Sequence, residues 1–278
     1  MAELPEIETL RREIERDVVG KRIKAVEVAE KRAVGRHSSM KDFIGRLEGV
    51  KILGTSRVGS LLMLELDNDE VLVADVTKGG NLVRAAGKDE PVEGTTIVIT
   101  FTQQGQLRLI DPLGAGELAV MSPDDVNIAY PELDNLGIDP IDKPMSWTVF
   151  GDLLLKNKMR LKDFLTDPKI IVGIGPLYSD EILFSAGLRY DRPSDSLSTQ
   201  EIRRLYRALV ETLHDAVKHR GSSIGDVPFV DLHGEPGDYQ SLHQVYNLDK
   251  KACRRCRAPI ARAKIGGRWT YFCKQCQV

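Results

Sequence analysis

The apolar residues at the start of the chain recur with the period of an α-helix. In the segment MAELPEIETLRREIERDVVG, four apolar positions lie three or four residues apart: Ile7, Leu10, Ile14 and Val18. Pro5 suits the first turn of a helix, and Gly20 suits its end. The pattern therefore predicts one amphipathic helix between Pro5 and Gly20.

From Lys21 to about Val120 the pattern changes to short apolar runs separated by turn residues such as Asp-Asn-Asp at 67–69 and Gly-Gly-Asn at 79–81. Five runs are typical of strands: Ile23 to Val28, Leu61 to Leu66, Val71 to Val76, Thr96 to Phe101 and Leu107 to Ile110. Their regular spacing predicts a β-sandwich, with a helix at Met40 to Leu47.

The helical period returns in the second half of the chain. Residues 131–145 are rich in Pro and Asp, which is typical of a linker. Four helical segments follow: Trp147 to Leu155, Arg160 to Leu165, Leu177 to Phe184 and Glu201 to His219. We therefore predict an α+β protein with an N-terminal β-sandwich domain and flanking helices at 1–130, a helical domain at 146–248 and a small C-terminal segment at 249–278.

The composition of the chain is typical of a globular protein. A chain of 278 residues with 42 % apolar and 29 % charged residues can form two domains with a substantial core. The first residues lead directly into a charged helix pattern, and no apolar run approaches eighteen residues, so we expect no signal peptide and no membrane contact. The expected location is the cytoplasm.

The C-terminal segment concentrates both cysteine and positive charge. Cys253 and Cys256 form one Cys-x-x-Cys pair and Cys273 and Cys276 form another, and these are the only cysteines in the chain. Four thiolates at this spacing are typical of a closed, structural Zn²⁺ site, and one Zn²⁺ per chain is predicted. Two disulfides are the alternative, but disulfides are typical of secreted proteins, and nothing else in the sequence indicates secretion.

A hairpin is predicted between the two cysteine pairs. Residues up to Ile265 alternate in polarity, Gly266 and Gly267 provide a two-residue turn, and 268–272 return as a second strand. Nine basic residues and no acid lie in 250–278, so the first 249 residues carry a net charge of −11 within a total of −2. Arg268, just after the turn, is therefore predicted to contact a phosphate. The alternative is a zinc-bound hairpin that only caps the fold.

Two other stretches could bind or react, and each has a structural alternative. The turn Gly173-Ile174-Gly175 leads to Pro176 at a helix start, where backbone amides and the helix dipole could hold a phosphate. Close packing of two helices explains these glycines equally well. Glu3 and Glu6 precede or open the first helix, where the residues alone favour carboxylates that complement the helix dipole.

These motifs, in this order, resemble the formamidopyrimidine-DNA glycosylase and endonuclease VIII family of base-excision repair enzymes. The start AELPEIE is similar to the family's PELPEVE, KDFLTDPKIIVGIGPLYSDEILF to its helix–two-turn–helix motif, and GGRWTYFCKQCQ to its zinc finger. HRGSSIGD resembles the loop that covers an extruded base. The resemblance covers the whole chain.

The resemblance implies a reaction and a set of site residues. In the family an N-terminal proline amine attacks C1′ of the damaged nucleotide and the adjoining glutamate moves protons, which assigns Ala2 and Glu3, with Glu6, to catalysis. The resemblance places DNA contacts at six positions: Lys78, Lys162, Gly173, Gly175, Tyr178 and Arg268. The expected partner is damaged, abasic or single-stranded DNA in the nucleoid, bound by a monomer.

The sequence also departs from the family. Ala2 stands where the family has the nucleophilic proline, although removal of Met1 would leave a primary amine that can still form an imine. The methionine and the Arg-Phe pair that fill the gap left by a flipped base fall at Lys78, Gly114 and Ala115, and Pro176 replaces a phosphate-binding asparagine.

Two functions therefore stay open, with a third less favoured. The first is a DNA glycosylase and AP lyase, an enzyme that cleaves DNA at abasic sites. The second is a catalytically impaired zinc-finger protein that binds damaged or distorted DNA. The third is a scaffold that binds protein, which the basic tail does not favour.

Overall fold

The structure is a computed structural model that describes residues 2–103 and 105–278. The chain folds into two compact units. The first contains the chain up to Asp134 together with His219–Gln240, and the second contains Asn135–Lys218 and Ser241–Val278.

The first unit is a β-sandwich with flanking helices, as predicted. Its helices are α1 (Leu4–Asp17), α2 (Met40–Leu47) and the short α3 (Val126–Ala129). Its strands are β1 (Ile23–Val28), β2 (Ile52–Val58), β3 (Leu61–Leu66), β4 (Val71–Asp75), β5 (Asn81–Ala85), β6 (Thr95–Phe101), β7 (Gln106–Ile110) and β8 (Glu117–Met121). They form two antiparallel four-stranded sheets with the orders β1-β6-β7-β5 and β2-β3-β4-β8.

Helix α1 contributes its apolar side to the main core of this unit. All four residues that carry the helical period are fully buried: Ile7, Leu10, Ile14 and Val18. At roughly 1.5–3 kcal/mol for each fully buried aliphatic side chain, these four contacts fix α1 against the sheets. The start of the chain is therefore held on a rigid element.

The segment 219–240 belongs to the first unit, although the sequence placed it in a helical domain at 146–248. Two acids on α1 hold it. Glu6 Oε1 accepts a hydrogen bond from Ser222 N at 2.7 Å, and Glu13 Oε2 accepts one from Leu232 N at 2.8 Å. These bonds join residues more than two hundred positions apart, which no local pattern indicates.

The second unit contains four helices and the C-terminal hairpin. The helices are α4 (Trp147–Lys156), α5 (Leu161–Thr166), α6 (Pro176–Ala186) and α7 (Thr199–Lys218), and the hairpin strands are β9 (Ala261–Ile265) and β10 (Arg268–Phe272). Phe150 and Phe164 meet edge to face at 5.7 Å between ring centroids in the helical core. In the described part of the chain, no helix has the length and apolarity that a membrane crossing requires.

The carboxyl group of Glu201 stabilises the start of helix α7, and its protonation depends on pH. Glu201 accepts hydrogen bonds from Arg192 Nη1 at 2.5 Å and Ser198 N at 2.8 Å. The Arg192 bond is the main cause that lowers the pKa of Glu201 to about 2. A carboxyl group with a depressed pKa stabilises the folded state above its unfolded pKa of about 4.3, and this stabilisation disappears as the pH falls toward 2.

We therefore expect Glu201→Gln to lower the melting temperature at pH 7 and to have little effect near pH 2. The matched control is Glu211→Gln on the same helix, because Glu211 is exposed and lies 4.0 Å from Arg207. Thermal unfolding followed by circular dichroism between pH 2 and 7 measures both. A Glu201→Gln effect that stays constant across this range would contradict the assignment.

Candidate functional site

The four cysteines lie together as a metal site requires. Their sulfur atoms are all within 4.8 Å of one another, with 3.8 Å between Cys253 and Cys276 and 3.4 Å between Cys256 and Cys273. Tetrahedral Zn²⁺ with Zn–S bonds of about 2.3 Å places its sulfurs about 3.8 Å apart. No described disulfide uses these thiols. The donor set therefore fits one structural Zn²⁺ with no open position.

The hairpin beside this zinc site has the predicted turn. Gly266 and Gly267 both have positive φ, at 52° and 81°, which is the backbone of a tight two-residue hairpin turn. Arg268 opposes Ile265 across the turn. The Arg268 side chain is exposed, and no hydrogen bond or ion pair joins its guanidinium to another described residue. Its guanidinium is therefore available to an anion.

Other basic residues of the zinc finger are engaged inside the second unit. Arg255 donates to Phe184 O at 2.9 Å and lies over the Phe184 ring at 4.2 Å from its centroid. Arg254 donates to Ser241 O at 3.2 Å. These two cations attach the finger to the unit, so positive charge alone does not identify the binding surface.

Asp180 fixes the position of the hairpin. This fully buried carboxylate accepts hydrogen bonds from Thr270 Oγ1 at 2.7 Å and Tyr271 N at 2.8 Å, and Lys162 Nζ lies 2.6 Å from Oδ1. Burial raises the pKa of Asp180, and Lys162 and the two hydrogen bonds act in the opposite direction. Each partner of such a buried pair is costly to remove, because the other charge is left unpaired.

Lys162 and Tyr178, two of the residues predicted to contact DNA, are largely buried. Lys162 is 7 % exposed and also donates to Pro176 O at 2.8 Å, and Tyr178 is fully buried. Lys162 therefore supports the start of α6 through Pro176 O and Asp180. The contacts of Lys162 and Tyr178 with DNA stay predictions.

A cleft of about 220 Å³ separates this turn from the hairpin. Its lining residues come from α5, the start of α6 and the hairpin: Lys162, Asp163, Thr166, Pro176, Ile265, Gly266, Arg268, Trp269 and Thr270. Gly173 has a φ of 72°, and Gly175 is the N-cap of α6 with an extended backbone. Pro176 supplies no N–H to the cleft, which weakens the predicted anion site at this helix start.

The first residues of the chain are held in the first unit. Glu6 Oε2 accepts a hydrogen bond from Glu3 N at 2.8 Å, while its other oxygen holds Ser222 N. Glu3 is 8 % exposed, and Ala2 is partly buried against the core. Glu6 therefore ties the chain start to the 219–226 loop. The expected removal of Met1 concerns a residue outside those that the structure describes.

Two loops at one end of the β-sandwich carry the positions aligned with the gap-filling residues. Lys78 is exposed, and a side chain at Gly79 would contact Ala115 and Leu113. Gly114 has no side chain to offer, and a Cβ at this position would overlap the Arg32 guanidinium. Leu113 keeps 59 % of its surface exposed, so it is the large apolar side chain of this loop, a feature that motif alignment did not select.

Comparison with known proteins agrees with this geometry over the whole chain. The profile of the formamidopyrimidine-DNA glycosylase N-terminal domain matches residues 1–118, that of the glycosylase H2TH domain matches 136–227, and that of the zinc finger found in FPG and IleRS matches 250–278. A formamidopyrimidine-DNA glycosylase of Heliobacterium modesticaldum is 35 % identical over the full length of both chains. This chain belongs to the formamidopyrimidine-DNA glycosylase family.

Further relatives share the same full-length coverage. The family member of Pelotomaculum thermopropionicum is 33 % identical, covering all of this chain and 99 % of that protein. The Lactococcus lactis Fpg, solved in complex with DNA containing an abasic site, superimposes with a TM-score of 0.87 at 30 % identity and 99 % coverage of each chain. The Thermus thermophilus MutM (Fpg) structure gives 0.84 at 33 % identity, covering 99 % of this chain and 98 % of that one.

Asp180 and Glu181, the acidic pair in the helix–two-turn–helix motif, both have structural roles in this family member. Asp180 holds the hairpin, and its neighbour Glu181 accepts three backbone N–H bonds, at 2.9 Å from Gln244, 3.0 Å from Val245 and 2.8 Å from Tyr246. Burial raises the pKa of Glu181. The two carboxylates therefore join α6 to the zinc finger and to the segment that leads into it.

Proposed function

We propose that this protein is a base-excision repair DNA glycosylase and AP lyase that acts on damaged or abasic DNA through its N-terminal amine. The observation that carries the proposal is the attachment of Glu3 and Ser222 to the two oxygens of Glu6. It fixes the start of the chain against the loop that resembles the family's base-covering loop. An incision assay on DNA with a single abasic site tests the proposal.

In this mechanism the chain's first residues have different tasks. Once Met1 is removed, the Ala2 amine adds to the C1′ aldehyde of a ring-opened abasic sugar, and the resulting carbinolamine loses water to give a protonated imine. At a damaged nucleotide the amine instead displaces the base from C1′. Glu3 is the adjacent proton carrier. Both oxygens of Glu6 are occupied by backbone N–H groups, so we assign Glu6 a positioning role.

DNA contacts are assigned to exposed groups of each unit. Arg268 contacts a phosphate beside the cleft at the start of α6, and Gly173 and Gly175 in the turn before α6 are the predicted contacts of a neighbouring phosphate. Lys78 contacts DNA from the first unit. Leu113 is the apolar side chain that enters the base stack, since inserted Leu side chains are a known way to hold a kinked or flipped duplex. Lys162 acts indirectly, by holding Asp180 and Pro176 O at the start of α6, and Tyr178 stays a DNA contact that only the resemblance predicts.

We expect Arg268→Ala to weaken binding to a duplex that contains a non-cleavable abasic analogue by about tenfold. A charge-assisted contact to phosphate contributes roughly 1.5–3 kcal/mol, and this arginine has no described partner to lose. Fluorescence anisotropy at several salt concentrations should show a smaller salt slope, by about one, because one phosphate contact is removed.

Lys274→Ala is the matched control, because Lys274 is an exposed cation of the same finger just beyond β10. It should change the affinity less than threefold. Equal losses from the two variants would indicate a diffuse charge effect and would contradict a specific Arg268 contact.

A second candidate function is binding to damaged or distorted DNA without excision. The observations that favour it are Pro176 at the start of α6, Ala2 in place of proline, and Gly114 without a side chain. Under this function the protein binds abasic DNA as a monomer in the nucleoid and leaves the strand intact. The two candidates differ only in the chemistry at Ala2, so a covalent trapping experiment separates them.

A further inference from the structure

The hairpin has a second face that the proposed DNA contact does not use, and on this face Tyr271 is buried whereas Trp269 is exposed. Opposed residues of an antiparallel pair project to the same side, and residues two apart on one strand also share a side. The register pairs Trp269 with Lys264 and Tyr271 with Arg262. These four side chains therefore share one face, and Arg268 and Thr270 belong to the other.

The two faces have different neighbours. Thr270 is buried against Asp180, so the Arg268 face turns toward α6. On the opposite face, Trp269 keeps 43 % of its surface exposed, which is unusual for the largest apolar side chain. The exposed part of the ring is therefore open to a partner other than the Arg262 guanidinium that lies over it.

Positive charge surrounds this indole. The Arg262 guanidinium lies over the ring at 4.2 Å from its centroid, and Lys264 Nζ lies at 6.0 Å. Arg262 also lies 3.6 Å from Asp249 Oδ2, which holds the guanidinium in place. A single guanidinium covers only one face of an aromatic ring, so the indole can still accept a stacked base.

We propose that Trp269, with Arg262 and Lys264, is a stacking platform for an unpaired nucleobase of single-stranded DNA next to the bound site. An exposed aromatic ring between cations is the arrangement that binds single strands, in which bases stack and phosphates meet the basic groups. The proposal rests on the proposed function, because it assumes that the finger meets DNA.

The spacing of the two residues supports one continuous strand. Arg268 and Trp269 are consecutive at the turn end of the hairpin, where their side chains leave the strand on opposite sides. Trp269 also lines the cleft beside Arg268. A strand whose phosphate binds Arg268 can therefore continue around the turn end of the hairpin to place a base at Trp269. This platform would favour lesions in bubbles or single strands over those in continuous duplex.

Intrinsic fluorescence tests the platform without altering it. The chain has two tryptophans, Trp147 and Trp269, so the Trp147→Phe variant reports on Trp269 alone. We expect oligothymidylate to quench this emission in a saturable manner, and polyglutamate of equal length to have little effect. Quenching by both would indicate a general anion surface and would overturn the assignment to a nucleobase.

Affinity measurements supply the second test. Base stacking on an aromatic residue contributes about 1–3 kcal/mol, so Trp269→Ala should weaken oligothymidylate binding roughly tenfold, and Trp269→Phe should retain part of the affinity. The same variants should change binding to an abasic duplex less than threefold, whereas Arg268→Ala has its main effect there. Zinc content confirms that each variant keeps its finger.

The possible failures are distinguishable. If Arg268→Ala weakens duplex binding while Trp269→Ala and Trp269→Phe leave oligothymidylate binding unchanged, the platform is wrong and the proposed function stands. If the parent protein binds neither DNA at low salt, the proposed function itself fails.

Discussion

Replacing one zinc ligand, in the variant Cys273→Ser, should abolish zinc binding and reduce affinity for abasic duplex by about a hundredfold or more. The site has four protein ligands, and a structural zinc finger takes much of its folding free energy from the metal. Cys253 and Cys273 are fully buried in a small cluster with Phe184, Val245, Ile260 and Tyr271. This cluster is too small to hold the hairpin by itself, so Arg268 would lose its fixed position.

Elemental analysis and fluorescence anisotropy measure the two parts of this expectation. Lys274→Ala, adjacent in sequence, should keep one zinc per chain and near-parental affinity. Far-ultraviolet circular dichroism of Cys273→Ser should retain the helical signal, since α4 to α7 have their own core around Phe150 and Phe164. A metal-free variant that binds DNA as the parent does would show that the zinc finger does not present the DNA-binding groups.

The sequence predicted those parts of the fold that depend on local periodicity. The alternation at Ile23–Val28, the turn glycines before Arg268 and the helix at Met40–Leu47 each gave the observed bounds. Strand β2 was not assigned, because its ILGTSRV sequence alternates weakly and contains an internal glycine. Its place in the sheet comes from pairing with β3, which is a non-local property.

The candidate site was predicted less completely, because buried ion pairs and long-range hydrogen bonds leave no periodic signal. The two Cys-x-x-Cys pairs gave the metal ligands, since their spacing reflects the coordination chemistry itself. Lys162 is predicted to contact DNA, and the structure shows in addition that it neutralises Asp180. A buried acid such as Asp180 in an apolar helix was the signal that the lysine had an internal partner.

The bond from Ser222 to Glu6 could not have been predicted from the residues alone. It spans 216 positions and uses a backbone N–H, which every residue except proline offers. Only the resemblance of HRGSSIGD to a known loop brought this segment near the chain start. Its consequence is that the N-terminal residues are held before any DNA binds.

The parent protein should form a covalent adduct with abasic-site DNA in the presence of borohydride, and the adduct should disappear when Met1 is retained. Borohydride reduces the imine between the Ala2 amine and C1′ to a stable amine, so the adduct mass identifies the bond. Ala2→Leu blocks Met1 removal because of its bulky second residue, and it should lose trapping and strand cleavage. Ala2→Ser is the matched control, since its small second residue keeps the free amine.

Glu3→Gln separates proton transfer from imine formation. Loss of a positioned general acid or base typically slows a reaction by about 10²–10⁴-fold, so cleavage should slow by at least about a hundredfold while binding to an uncleavable abasic analogue stays near parental. Glu6→Gln should reduce cleavage less, because its amide oxygen can still accept one of the two backbone N–H bonds. Undiminished trapping by Ala2→Leu with Met1 intact would show that the Ala2 amine is not the nucleophile, and peptide mapping of the adduct would then distinguish the Met1 amine from a lysine. If the parent protein binds abasic DNA tightly but forms no adduct, the function is binding without excision. The Ala2 amine would then be present without reacting.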